Sequence, residues 1–250
     1  MPLKHRHACW PRWLRVEERR AAARERGQSF EALAEAELPE CVLREVDADI
    51  PRTHSDLVPP EQYPELRRVL VALAARSPSV GYAQGMNQLA AVFLKLGFEQ
   101  EECFWMLAAV LEELLPACHA PDLQGLFRDT AVADVLVRTF LPGHAAALAA
   151  LRIDPLWLTV DYFVTLGSKD APLPLVVRLW DFCFLRGPQA LFAGFLACLE
   201  LFFEVPARLE GVDAERSMAA YWGACQAADP GAFAGRLLEF LEERQLGVSR

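Results

Sequence analysis

The chain has 250 residues, of which 53% are hydrophobic and 24% charged, and a formal net charge of −9. These proportions are typical of a globular protein that can bury a core, in one large domain or two small ones. The acidic balance, with no basic arm or stripe, argues against nucleic-acid binding. It suits a basic or mixed-charge protein partner, although acidity also serves solubility alone.

Prolines and glycines divide the chain into helix-length pieces with a 3.6-residue apolar period, and few segments alternate with period two. The first predicted helices cover Trp13–Arg26 and Phe30–Leu43, the second interrupted by a proline. An extended acidic and proline-rich stretch is predicted from Val46 to Pro60, because Pro51 lacks an amide hydrogen and disfavours helical backbone at the residue before it. Arg52 is therefore expected on an ordered loop.

The same pattern predicts further helices along the rest of the chain. Their ranges are Pro64–Ser77, Tyr82–Leu96, Glu101–Leu115, Thr130–Leu141, Gly143–Leu151, Pro155–Leu166, Pro174–Leu185, Pro188–Glu204, Ala214–Ala228 and Pro230–Leu246. The sequence thus predicts an all-α fold in a single domain over residues 1–250, with two packed helical lobes as an alternative.

The seven cysteines are scattered and form no C-x-x-C pair, which predicts reduced thiols in a cytosolic protein rather than a disulfide framework or a zinc site. Cys118 and His119 are adjacent, but no orienting group is visible, so no catalytic pair is predicted. The longest apolar stretch, Ala190 to Phe203, contains Glu200 and is too short to span a bilayer. We expect a buried helix there, no transmembrane segment and a cytoplasmic location.

Two short segments carry the candidate functional side chains, Asp49-Ile50-Pro51-Arg52-Thr53 and Gly81-Tyr82-Ala83-Gln84-Gly85-Met86-Asn87. Arg52 can supply permanent positive charge and several hydrogen-bond donors, and Gln84 can donate and accept hydrogen bonds. Judged alone, each side chain fits an ordinary surface or structural role. The sequence contains no glycine-rich nucleotide-binding loop, so any nucleotide is expected to be held with the help of a partner.

Taken together, the two segments resemble a known family. Val46 to Thr53 resembles the I-x-x-D-x-x-R-T motif of TBC-domain GTPase-activating proteins for Rab GTPases, and Tyr82 to Met86 resembles their Y-x-Q-G-M motif. The resemblance is clearest over residues 3–203. Further stretches agree with the family in order and spacing: Leu3 to Trp10, Pro121 to Leu123, Trp157 to Leu158 and Leu173 to Asp181.

The resemblance implies a GTPase activator that acts in trans, not a hydrolase itself. Arg52 would neutralise charge on the phosphate oxygens of GTP bound to the partner Rab GTPase, and Gln84 would orient the attacking water. GTP and magnesium would belong to the partner, and this chain would bind no cofactor alone. A peripheral location at endomembranes, reached through the partner, is the alternative to a purely cytoplasmic one.

The resemblance also suggests residues that support these two fingers. Asp49 would hold the arginine or its loop, with ordinary loop capping as the alternative, and Thr53 would cap the loop. Tyr82 and Met86 would pack around the glutamine, with contact to the partner as a second role for Tyr82. Asn87 would bond the arginine loop or the partner, with a structural role as the alternative. Arg178 and Asp181 would form a pair on one helix face that supports the catalytic loop, with a purely structural role as the alternative, and Arg6, Trp10 and Trp180 are expected to be structural. Judged from the residue alone, Gly85 allows close backbone approach or tight packing.

The chain departs from the family pattern at two places, and the segment after Phe203 matches the pattern only loosely. His54-Ser55 stand where many relatives have an aromatic residue and a proline, and Ala83 replaces a commonly bulkier residue. Both fingers remain. Two other functions stay open at this point: a non-catalytic module that recruits a GTPase, and an unrelated helical enzyme with its own nucleotide or metal site.

Overall fold

The computed structural model describes residues 1–53, 56–206 and 213–242. Those residues form fourteen α-helices and no strand, which confirms the predicted all-α fold. The chain divides into two compact units, Met1–Leu123 and Gln124–Arg250. The departure at His54-Ser55 and the end of the last predicted helix, beyond Glu242, lie outside the described residues.

The described residues of the first unit form seven α-helices. Two 3-10 turns, Ile50–Arg52 and Pro60–Gln62, and a π-helical turn, Val110–Leu114, complete it. The helices are α1 (Leu3–Trp13), α2 (Val16–Arg24), α3 (Phe30–Ala34), α4 (Glu40–Asp49), α5 (Tyr63–Arg76), α6 (Met86–Lys95) and α7 (Gln100–Ala109).

The core of the first unit lies along α5, α6 and α7. Every residue of α6 from Met86 to Leu94 is buried, including the polar residues Asn87 and Gln88. Trp10 of α1 stacks on Phe98, with ring centroids 5.9 Å apart, and meets the edge of Phe93 at 6.1 Å. This aromatic cluster attaches α1 to the end of α6, so the helix that follows Gln84 has a fixed position in this unit.

Helices are also the only regular secondary structure among the described residues of the second unit. Its central helix, α12, buries nine of its fifteen residues, so the predicted buried helix over the longest apolar stretch is confirmed. The helices are α8 (Gln124–Phe140), α9 (Pro142–Ala150), α10 (Pro155–Val164), α11 (Leu173–Arg186), α12 (Pro188–Phe202), α13 (Ala214–Gln226) and α14 (Pro230–Glu242).

The N-terminal helices differ from the prediction. One helix was expected over Trp13–Arg26, but α1 begins ten residues earlier, at Leu3, and a left-handed residue, Arg15 with φ of 53°, separates it from α2. The prediction missed α1 because its composition is polar and it shows little apolar periodicity. Its buried side chains are only Arg6 and Trp10, which lie one turn apart. Phe30–Leu43 likewise splits into α3 and α4 around its proline.

Two other predicted boundaries are wrong. The helix expected from Tyr82 begins only at Met86, because Gly85 adopts a φ of 103° and ends the preceding turn. α8 begins at Gln124, six residues before the predicted Thr130. Among the described residues no single helix is long and apolar enough to cross a membrane; α8 and α9, bent by 117°, reach the threshold only as a pair.

Candidate functional site

Arg52 lies on a short helical extension of α4 and not on an extended loop. α4 runs to Asp49, and a 3-10 turn, Ile50–Arg52, continues from it. The predicted extended stretch from Val46 is therefore wrong, and Ile50 has helical angles, φ −54° and ψ −51°, although a proline follows. The proline fits because the first residues of a helical turn need no amide donor, and the steric effect on the preceding residue is a bias and not a prohibition.

Asp49 connects the arginine segment to the glutamine segment. It is buried, and its Oδ2 accepts a 3.0 Å hydrogen bond from the hydroxyl of Tyr82, 33 residues away in the chain. Burial raises the pKa of Tyr82 well above its ordinary value, and the nearby carboxylates of Asp49 and Glu45 raise it further. Tyr82 therefore stays protonated and continues to donate to Asp49 across the physiological pH range.

Asn87 makes a second connection between the same segments. Its Nδ2 donates to Thr53 Oγ1 at 2.9 Å and to the main-chain carbonyl of Asp49 at 3.3 Å. Its Oδ1 accepts a 3.2 Å hydrogen bond from the backbone amide of Gly85. One buried side chain thus bonds to residues on both sides, and Asn87 is the single asparagine of the sequence.

The main-chain carbonyl of Asp49 accepts several hydrogen bonds. It accepts from the backbone amide of Thr53 at 3.0 Å and from its hydroxyl at 3.1 Å, in addition to the bond from Asn87. Thr53 is 3% exposed. We call Asp49, Thr53, Tyr82, Gly85 and Asn87 the clamp, because their hydrogen bonds hold the two segments together without using either candidate finger.

Gln84 stands in the turn immediately before α6. Its side chain is exposed, whereas Gly85 and Met86 after it are buried, Met86 with only 2% exposure. The left-handed backbone at Gly85 lets the chain enter α6 through this turn, and α6 itself is fixed in the core. The glutamine amide is therefore presented to solvent from a well-supported turn.

Arg52 is also presented to solvent. Its side chain is 76% exposed, and its Nη1 lies 3.6 Å from Asp49 Oδ1. That distance is too long for a hydrogen bond, so the contact is an electrostatic attraction at an exposed position. The clamp therefore places an exposed cation on one segment and an exposed amide on the other, with a buried network between their backbones.

The other sequence candidates lie on α11 in the second unit and on α1 in the first. Arg178 and Asp181 are half-buried on α11 in the second unit, three residues apart on one helix. Trp180, on the same helix, is fully buried and donates from Nε1 to the carbonyl of Leu166 at 2.9 Å. In the first unit, the Arg6 guanidinium lies 5.8 Å from the ring centre of Trp10, and both residues are buried.

Sequence reasoning missed Glu45, whose charge contributes to the raised pKa of Tyr82. The spacing could have revealed it, because Glu45 and Asp49 are four residues apart on what proves to be α4. Across the described residues, no group of three or more His, Cys, Asp or Glu side chains is arranged to hold a metal ion. The site offers hydrogen-bond donors and a positive charge, but no nucleophile.

Comparison with known proteins identifies the family. A family model described as the Rab-GTPase-TBC domain matches residues 3–205. Human "Small G protein signaling modulator 3" is 37% identical over 139 residues, which cover 55% of this chain and 18% of that protein. "TBC1 domain family member 2A" from Rattus norvegicus is 30% identical over 217 residues, 84% of this chain and 23% of that protein. The chain thus spans about a fifth of the length of these relatives.

Two solved structures share the fold. A Chlamydomonas flagellar RabGAP TBC domain matches with a TM-score of 0.80 and 24% identity, over 95% of this chain and 80% of that chain. The Ypt/Rab-GAP domain of Gyp1p matches with a TM-score of 0.80 and 16% identity, over 99% and 90% respectively. With a family model that covers residues 3–205 and a matching fold, the chain belongs to the Rab-GTPase-TBC domain family.

Proposed function

We propose that this chain accelerates GTP hydrolysis by a Rab-family GTPase, by inserting Arg52 and Gln84 into the active site of the GTP-bound partner. The observation that carries the proposal is the clamp: two exposed side chains suited to phosphoryl transfer stand on segments that buried hydrogen bonds join together. Family membership supports the same activity, since the matching model is that of the Rab-GTPase-TBC domain.

Arg52 supplies positive charge to the transition state. As the bond to the γ-phosphate breaks, negative charge grows on the phosphate oxygens, and a planar guanidinium can meet it with two parallel donors. The exposed position of Arg52 permits this, and docking of the partner excludes water and strengthens the interaction. Arginine fingers of this kind contribute about 10³–10⁵ to the rate.

Gln84 orients the attacking water. Its amide carries both a donor and an acceptor, so it can bond a water molecule and a phosphate oxygen at once. A fixed geometry matters more than acid–base strength, because a neutral amide neither gains nor loses a proton at physiological pH. The buried backbone on the α6 side of Gln84 provides that fixed geometry.

The partner supplies the remainder of the active site. In this proposal it brings GTP and the magnesium ion, while this chain contributes Arg52 and Gln84 to the transition state and binds no cofactor alone. We place the protein in the cytoplasm, reaching endomembranes through the membrane-bound partner.

The test is a hydrolysis assay on a panel of GTP-loaded Rab GTPases with matched variants. We expect Arg52→Ala to reduce the stimulated kcat by about 10³, and Gln84→Ala by about 10² to 10³. Arg52→Lys keeps the charge and loses the planar fork, so it should remain strongly impaired. Both positions are exposed, so the variants should unfold with the same midpoint as the wild type.

Arg44→Ala and Gln62→Ala are the controls. Arg44 is an exposed arginine on α4 whose guanidinium lies 3.6 Å from Glu40, and Gln62 belongs to a 3-10 turn outside the clamp. Neither substitution should change the stimulated rate. If the wild type binds a GTP-loaded Rab without accelerating hydrolysis on any member of the panel, the chain is a recruiting module and not an activator. GTP binding by the chain alone would point to an enzyme with its own site.

A further inference from the structure

A cavity of about 130 Å³ lies in the first unit, next to the segment that carries Gln84. Its wall combines the end of α5, the loop that precedes the glutamine, the first residue of α6 and the region of the π-helical turn. Residues from these parts include Leu73, Arg76, Gly81, Met86, Leu111 and His119. Local π-helical geometry is frequent at functional sites, and here it forms part of a cavity that none of the finger chemistry uses.

The charges in the wall compensate one another. Arg76 bonds Glu112 Oε1 through Nη2 at 2.9 Å and through Nε at 3.0 Å. The same guanidinium lies 5.2 Å from the ring centre of Trp105, and Glu112 also pairs with Arg19. Arg76 and Glu112 line the cavity with opposite charges and bond each other, so the wall favours a neutral ligand over an ion.

The size of the cavity sets the size of the ligand. An apolar protein cavity of roughly 150 Å³ is able to bind benzene, so a cavity of similar volume can hold one six-membered ring. Most of its lining is aliphatic, and the polar residue Ser77 is also part of the wall. A ring that carries one hydroxyl group would bury its apolar part and still find a hydrogen-bonding partner.

We propose that this cavity is a binding site for a small neutral aromatic molecule with one hydrogen-bonding group, and that its occupancy controls the Gln84 turn. The two ends of that turn form part of the wall. Met86 is the first residue of α6, and Gly81 has a left-handed φ of 66° and donates to the carbonyl of Ser77 at 2.8 Å. A ring held between them displaces the turn from the fixed geometry in which Gln84 orients the attacking water.

The binding site is independent of the proposed function, whereas its effect on hydrolysis depends on it. Binding is therefore measured first, by methyl NMR with phenol as the ligand. The chain has four methionines, Met1, Met86, Met106 and Met218, and of these only Met86 lines the cavity. We expect a saturable shift of the Met86 methyl signal, with a Kd on the order of 1 mM for so small a ligand, and no change at Met1 or Met218.

Cavity-filling variants provide the control. Ala120→Leu places a larger side chain in the cavity and should abolish the Met86 shift. Leu111→Phe does the same from a half-exposed position, in case the first variant folds poorly. Ala145→Leu fills a different cavity of about 70 Å³ in the second unit and should leave the shift unchanged. A Met86 signal that does not move, or moves equally in the folded cavity-filling variants, overturns the site.

The hydrolysis assay then tests control of the turn. Saturating phenol should lower the stimulated kcat of the wild type by about fivefold, the low end of common allosteric couplings. It should have no such effect on Ala120→Leu. If phenol binds and kcat stays constant on a GTPase that the wild type activates, the site stands and its control of Gln84 is overturned. If the wild type activates no GTPase, the proposed function fails while the NMR result still decides the site.

Discussion

The clamp predicts that Asn87→Ala strongly lowers activity, although Asn87 is not one of the two fingers. The substitution removes three hydrogen bonds, to Thr53 Oγ1, to the Asp49 carbonyl and from the Gly85 amide. Thr53 and Asp49 keep other partners, since they also bond each other. The buried amide of Gly85 loses the acceptor that Asn87 supplies.

The hydrogen bonds lost in Asn87→Ala determine the expected loss of stability. A buried donor left without an acceptor costs about 1–3 kcal/mol, and the weakened bonding at Thr53 adds about 1 kcal/mol. The free energy of unfolding should therefore fall by about 2–4 kcal/mol, which a domain with 5–15 kcal/mol of stability survives in folded form. Urea denaturation measures this change in the free energy of unfolding, and an unchanged m-value would show that the unfolding transition itself is the same as in the wild type.

The expected loss of activity is larger than the loss of stability implies. Displacement of a catalytic group by about 1 Å can cost about 10²-fold in rate, so kcat of the stimulated reaction should fall by that order, with a smaller change in KM. Thr53→Ser keeps the hydroxyl and should behave as wild type, whereas Thr53→Val removes it and should share part of the defect. Selective ¹⁵N-asparagine labelling yields a single side-chain amide pair, because Asn87 is the only asparagine.

The reasoning is refuted if Asn87→Ala lowers the free energy of unfolding by less than about 0.5 kcal/mol, the range of neutral surface changes, and leaves kcat at its wild-type value. It is also refuted if the labelled amide pair of Asn87 exchanges with solvent as fast as that of an exposed asparagine.

Three further predictions concern other parts of the fold. Gly194→Ala should lower stability by about 1–3 kcal/mol in thermal denaturation, because its new Cβ would lie 2.5 Å from Leu179 Cδ1 and 2.7 Å from the hydroxyl of Tyr162. Gly85→Ala should lower stability by about 1 kcal/mol or more and reduce kcat, since its φ of 103° disfavours any side chain; a wild-type kcat would contradict this. Folding raises the pKa of Tyr82, so the protonated side chain contributes to the free energy of unfolding. This contribution is complete below the pKa of the unfolded chain, near pH 10, and is lost as the pH rises through the higher pKa of the folded protein. Ultraviolet titration of wild type against Tyr82→Phe should therefore show this hydroxyl still protonated at pH 10.

Helices with a proline in the first turn were predicted best from the sequence. α5 was placed within one residue at each end, because Pro64 marks its first turn and an apolar stripe continues to Leu73. α12 begins at the predicted Pro188 for the same reason, and α9 begins at Pro142, one residue before the predicted Gly143. α1 was missed, since a helix that buries an arginine and a tryptophan among polar residues has little apolar periodicity.

The candidate fingers could be named from the sequence, but the way they are held could not. Their motif positions are local patterns, whereas Tyr82 and Asp49 meet across 33 residues and Asn87 and Thr53 across 34. Such pairs depend on how α4 and α6 are placed against each other in the core, which no spacing rule specifies. The helical position of Arg52 was mispredicted for a related reason, because the backbone bonds of Thr53 continue the turn through the proline.

The contact between Arg52 and Asp49 also determines how easily the arginine changes partners. At 3.6 Å, and with three quarters of the arginine side chain in solvent, the carboxylate attracts the guanidinium without binding it tightly. A buried bidentate pair would instead compete with the phosphates of GTP and slow their capture. The loose pairing keeps the cation near the docking position while leaving the more highly charged phosphate oxygens the stronger competitor. In the proposed complex, the length of one ion pair therefore sets the balance between holding the finger in the free protein and releasing it to the nucleotide.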